Sequence, residues 1–246
     1  TYYKGENALP ADVTVDELVE LMKPWYDNYC FSEDSLEERM FNSDMTLYFL
    51  NNYLQLGKVP KMMVDNNIRT DYSKLRHLIQ IDKTFGVNAS VIQQIVAEGS
   101  ITVQIATFFP AEKMTDTENF KSLLFYFGML SYFGMLSIQG VYRGTPVLGI
   151  PNLTVREQLY TYLVEAYSKA SIFNVDISHF SSLVMEMAYD GKWESVFRFF
   201  ARELERQSAI REFIDGEAHV KGFLLAYLGL TQGYVLFPEH ESSKGY

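Results

Sequence analysis

The sequence predicts a mainly α fold with a small β component: a helical segment, a winged-helix-like module, then helices leading into an incomplete α/β domain. Three observations predict it. Apolar residues recur at helical spacing along most of the chain, punctuated by capping boxes and glycine stops. One short stretch switches to strand-like alternation, and two extended runs flank an Arg-Gly pair as the arms of a hairpin do.

Taken in order, Thr14 and Glu17 form a capping box ahead of Leu18, Leu21 and Met22, and Pro24 is expected to end that helix. Ser43 is expected to cap a helix over 44–55 that stops at Gly57. Leu75, Leu78, Ile79 and Phe85 carry helical spacing over 71–86, and Val91, Ile92, Ile95 and Val96 carry it up to Gly99. Residues 101–105 alternate as a short strand. Thr115 and Glu118 make a second capping box before a strongly apolar helix over 120–130. The runs 137–142 and 146–150 then flank Arg143 and Gly144, a hairpin turn. Helix, helix, strand, helix, hairpin is the element order of a winged helix, placed here over 71–151. A third capping box at Thr154 and Glu157 opens a helix over 155–171, and further helices are expected over 178–189 and 193–207.

Composition limits the function classes. With 246 residues, 48% hydrophobic and 15% aromatic, the chain can bury one or two cores. A net charge of −10 and the absence of a basic block argue against a protein whose main task is to hold nucleic acid, because phosphate neutralisation needs clustered Lys and Arg. The lone Cys30 excludes an internal disulfide and a cysteine metal site, reads as a buried inert thiol, and fits a cytoplasmic protein. The uncharged stretch 122–142 contains Gly128, Ser131, Gly134, Ser137, Gln139 and Gly140, and is read as a buried helix followed by a strand, with no membrane span. The N-terminus, Thr1-Tyr-Tyr-Lys-Gly-Glu-Asn, has no initiator Met and no signal-like run, and reads as the cut edge of a longer protein.

One repeat stands out. The six residues from Tyr126 to Ser131, Tyr-Phe-Gly-Met-Leu-Ser, recur at once from Tyr132 to Ser137. Six residues is not a whole number of helical turns, so the copies cannot present the same face of one helix. One copy is expected to end the helix and the other to enter the strand.

Chemical motifs are sparse. A phosphate-binding loop, G-x-x-x-x-G-K-[ST], is absent; Gly57-Lys58 and Gly191-Lys192 lack the preceding Gly, so ATP hydrolysis by this chain is not expected. His77, His179, His219 and His240 are scattered, without metal-ligand spacing. Glu33, Asp34, Glu37 and Glu38 read as a solvated acidic face. Arg198, Arg202 and Arg206 recur every four residues, but Glu194, Glu203 and Glu205 interleave with them, as on a salt-bridged surface helix.

Several blocks carry a resemblance. "M-K-P-W-Y-D-N-Y-C-F-S" at Met22 to Ser32, "R-M-F-N-S-D-M-T-L-Y-F-L" at Arg39 to Leu50 and "N-F-K-S-L-L-F-Y-F-G-M-L" at Asn119 to Leu130 occur in that order. "P-N-L-T-V-R-E" at Pro151 to Glu157 and "M-A-Y-D-G-K-W" at Met187 to Trp193 follow. Gly216, Glu217, Gly222 to Leu228, Pro238, Glu239, Glu241, Lys244, Gly245 and Tyr246 complete the series. Together they resemble a bacterial (Bacteroidetes-type) family of AAA-ATPase-like proteins with a C-terminal PD-(D/E)XK nuclease-like domain. The match runs from about residue 15 to Tyr246, with Asn28 in place of the family's usual Gly and the doubled hexapeptide as an insertion.

The resemblance implies a division into a helical remnant of the ATPase-like region (1–70), the winged-helix-like module (71–151), a helical connector (152–208) and the start of the nuclease-like domain (209–246). It implies a helix opened by Gly216-Glu217 and a strand over 234–237. Glu217 would be the supporting carboxylate of an incomplete nuclease motif, with Asp215, Glu239 and Glu241 as weaker candidates; an i, i+4 salt bridge to Lys221 is the alternative role for Glu217. Lys244 lies outside the Glu-x-Lys context of catalysis. No cofactor or metal site is expected in this chain; ATP and Mg²⁺ belong to the intact parent. The expected function is that of a non-catalytic lid, winged-helix and linker portion coupling nucleotide state to partner or nucleic-acid handling. The alternative is a DNA-binding or protein-interaction winged helix. Partners implied are the missing ATPase core, the rest of the nuclease-like domain, and a protein partner or second copy, with nucleic acid only for the intact parent.

Overall fold

In a computed structural model of the chain, residues 13–65, 87–108, 113, 116–130, 134–207, 217–231, 234 and 236 are described. The fold is mainly helical, with eight α-helices and a three-stranded sheet among those residues. The chain forms two compact units: one of Thr1–Leu75, Thr102–Pro110 and Glu118–Arg156, the other of Arg76–Ile101, Ala111–Thr117 and Glu157–Tyr246.

In the first unit, helix α1 (Val15–Tyr26) starts at the Thr14/Glu17 box as predicted: Thr14 Oγ1 accepts from the Glu17 amide, and the Glu17 carboxylate accepts from the Thr14 amide. Pro24 does not end it; the helix runs two residues further. A proline removes only its own N–H, and the final turn is held by the Asp27 amide on Lys23 O and by Tyr26, fully buried with its hydroxyl on Met63 O at 2.8 Å. After a 3-10 turn at Glu33–Ser35, helix α2 (Ser43–Leu56) is capped by Asn42 and not by Ser43, which is already helical; Asn42 Oδ1 accepts from the Met45 amide. It ends, as predicted, at Gly57, whose φ of 65° is the left-handed conformation glycine takes without penalty.

Helix α3 (Val87–Glu98) ends at Gly99 as expected and belongs to the second unit. The helix expected over 71–86 lies outside the described residues. Strand β1 (Ser100–Thr102) is shorter than its sequence pattern. Helix α4 (Thr117–Leu130) buries Phe120, Leu123, Leu124 and Phe125; the cap residue expected at Thr115 lies outside the described residues. Strands β2 (Ser137–Tyr142) and β3 (Thr145–Gly149) form the predicted antiparallel hairpin, with a bulge at Gln139. Arg143 and Gly144 both have positive φ, 51° and 79°, as a two-residue primed turn requires. The strand order is β1-β3-β2, and the Val103 amide adds a bond to Pro146 O.

Helix α5 (Leu153–Lys169) begins in the first unit and continues in the second. Asn152, not Thr154, caps it: Asn152 Oδ1 accepts from the Val155 amide, whereas the Thr154 hydroxyl is buried inside the first turn without a partner. Helix α6 (Ile177–Asp190), capped by Asp176 and closed by Gly191, pairs with α7 (Trp193–Arg206). Helix α8 (Glu217–Gly229), opening at Glu217 as expected, packs on α3. The core of this unit is aromatic. Phe173 makes edge contacts with Phe200, Phe223 and Tyr227, and the Tyr167 ring lies 4.2 Å from that of Phe223. Tyr234 and Leu236 lie outside any strand; the rest of the predicted 234–237 strand is outside the described residues.

Candidate functional site

Two groups of residues carry the functional expectations and a third is brought together by the fold, each built by its local structure. The first is Glu217. Opening α8 places an acidic side chain at the positive end of the helix dipole, a favourable position that any first-turn carboxylate shares. Glu217 is exposed. No group of three or more His, Cys, Asp or Glu side chains is gathered for a metal ion among the described residues. Asp215, Glu239, Glu241 and Lys244 lie outside the described residues, as do His77 and His240. His179 faces the Phe199 ring edge-on at 4.9 Å.

Both Gly-Lys pairs have a structural role opposite to phosphate binding. A phosphate loop offers backbone amides at the start of a helix. Gly57 and Gly191 instead close the ends of α2 and α6, each with its amide on a helix carbonyl, Tyr53 O and Met187 O. Lys192 is engaged by Asp190 at 3.2 Å and Glu186 at 3.9 Å. On α7, Arg198 meets Glu194 and Arg206 meets Glu203, the salt-bridged helix the sequence predicts. Hydrogen bonding from Arg206 holds the Glu203 carboxyl below its ordinary range. Glu33, Asp34, Glu37 and Glu38 are exposed, as expected of a solvated face.

The second group is α4 with the hairpin. A helix that reads DNA offers polar and basic side chains to the groove. Along α4, Lys121 is bound to Glu118 at 2.7 Å, and Ser122 is buried, donating to Glu118 O and accepting from the Ala106 amide. At the hairpin tip Tyr142 is exposed and the Arg143 guanidinium lies over its ring, 5.2 Å from the centroid.

The third group went unnoticed in the sequence. Residues 27–42, the start of β2 and the start of α5 meet in a polar hub within the first unit. Ser137 Oγ accepts from the Cys30 amide at 2.8 Å and donates to Asn28 O at 2.9 Å. The Ile138 amide donates to Cys30 O, and Arg39 Nη1 donates to Ile138 O at 2.6 Å. Tyr29 and Met40 form a two-bond antiparallel bridge. Asn28 and Asn152 donate to Pro151 O and Asp27 O. Most of the hub's donors go to backbone carbonyls, so it ties segments together, while Asp27 Oδ1 is buried beside it without a hydrogen-bond partner. Burial pushes the Tyr29 hydroxyl up to about 12, against the opposing pull of hydrogen bonds with Asn152 and Asn42. The Cys30 thiol is 1% exposed and donates to Ser32 O at 3.2 Å, the inert thiol expected. One sequence signal pointed here: Asn is among the best N-cap residues, and Asn152 directly precedes an apolar helical run.

No family model, no curated protein and no solved structure matches this chain.

Proposed function

We propose that the chain is a non-catalytic interaction and linker portion of a larger AAA-ATPase-like protein with a nuclease-like C-terminal domain, and that its helices and winged-helix-like module couple nucleotide state to partner handling. The observation that carries this reading is the strand order β1-β3-β2, in which the second arm of the hairpin inserts between the first strand and the first arm, as in a winged helix. Phe120, Leu123, Leu124 and Phe125 of α4 are turned inward and Lys121 is paired, which favours a packing role over base reading. The resemblance of the sequence blocks supplies the ATPase and nuclease context. ATP and Mg²⁺ would act in the parent's other domains, and Glu217 would take up its role only alongside further acidic residues.

DNA contact through the hairpin is the second reading, favoured by the exposed Arg143–Tyr142 pair at its tip. A net charge of −10 opposes it.

Titration of the purified chain with duplex DNA at stepped salt separates the two. The interaction role gives no binding beyond weak, sequence-independent association. Tight binding with a steep salt slope that falls in Arg143→Asn would establish the second reading instead. In parallel, the chain is expected neither to hydrolyse ATP nor to cleave DNA with Mg²⁺ or Mn²⁺. Turnover that survives repurification and disappears in Glu217→Ala would overturn the non-catalytic assignment.

A further inference from the structure

We draw no further inference here: the strongest candidate, the exposed aromatic patch of Tyr189, Trp193 and Phe197 where α6 turns into α7 (81%, 58% and 43% exposed), carries nothing because nothing in the structure shows what covers it.

Discussion

Asn28 and Asn152 form a reciprocal clamp: each side-chain amide donates, at 3.0 Å, to the backbone carbonyl just before the other residue, Asn28 Nδ2 to Pro151 O and Asn152 Nδ2 to Asp27 O. Asn152 spends its remaining side-chain oxygen on the cap of α5. One buried side chain thus fixes both the entry to a helix and its attachment to residues 27–30. Asn152→Ala is expected to cost about 2–3 kcal/mol, the sum of a lost cap and a lost buried hydrogen bond. Asn152→Asp, which keeps the cap acceptor, should cost less. Denaturant unfolding of both variants checks the order; equal losses would mean the cap contributes nothing.

Position 28 reverses the usual preference for alanine. Its φ is 80°, a conformation that asparagine and glycine tolerate and alanine resists. Asn28→Gly is therefore expected to cost about 1 kcal/mol, the bond to Pro151, and Asn28→Ala about 1 kcal/mol more through backbone strain. If Ala proves the milder change by chemical denaturation, the left-handed backbone at this site is wrong.

Leu124 tests the buried face of α4. It is fully buried, with Phe120, Leu123 and Phe125 buried beside it. Leu124→Ala should cost about 2–5 kcal/mol through cavity formation. A loss under about 0.5 kcal/mol would place this side chain at the surface and revive α4 as a partner-reading helix.

Two glycines of α8 should respond oppositely to alanine. A Cβ on Gly229 would overlap the Tyr160 ring, a rigid and buried neighbour, so Gly229→Ala is expected to cost about 1–3 kcal/mol. A Cβ on Gly222 meets Gln93 Cγ at 3.2 Å, and this methylene of a flexible side chain can yield by a few tenths of an ångström. The gain in helix propensity, up to about 1 kcal/mol, then makes Gly222→Ala neutral or stabilising. Thermal melts of the pair decide it; a shift of equal size and sign in both would refute the assigned packing.

Alkaline pH should unfold the protein through its tyrosines. Burial raises the hydroxyl of Tyr29 from the ordinary 10.0 to about 12, and raises those of Tyr26, Tyr167 and Tyr227 as well. The folded protein holds these protons more tightly than the unfolded chain. The stability so gained is complete below pH 10 and, for Tyr29, is lost as the pH climbs to 12, at about 1.4 kcal/mol per pH unit. Phenolate absorbance of the four should rise only with loss of circular dichroism. Their titration in a still-folded sample would contradict this.

Local chemistry was legible in the sequence where a signal and its partner lie within one helical turn. The Thr14/Glu17 box, the Gly57 stop and the Arg143-Gly144 turn needed no distant residue. Signals that depended on burial were misassigned. Thr154 and Ser43 had the right chemistry for caps, but Asn152 and Asn42, one or two places earlier, carry amides that serve the cap while also bonding elsewhere or lying buried. Pro24 carries the local signal of a stop, whereas the anchoring of Tyr26 on Met63, which holds the last turn, lies far away in sequence. The polar hub drew on segments separated by more than a hundred residues, as between Cys30 and Ser137. On α7, Val196 and Phe200 are buried while Trp193 and Phe197 are exposed, a division that periodicity alone does not give, since it reports a face without saying what lies opposite.

The doubled hexapeptide reaches beyond this fold. Tyr126 to Leu130 of the first copy is helical, while the second copy ends with Met135 and Leu136 buried and Ser137 opening a strand. One six-letter word is thus spelled in two conformations within a single chain. A free peptide of that sequence should show no settled preference, so its shape is dictated by its address in the chain and not by its letters. Mutational tolerance should follow address too, and the copies are free to drift apart.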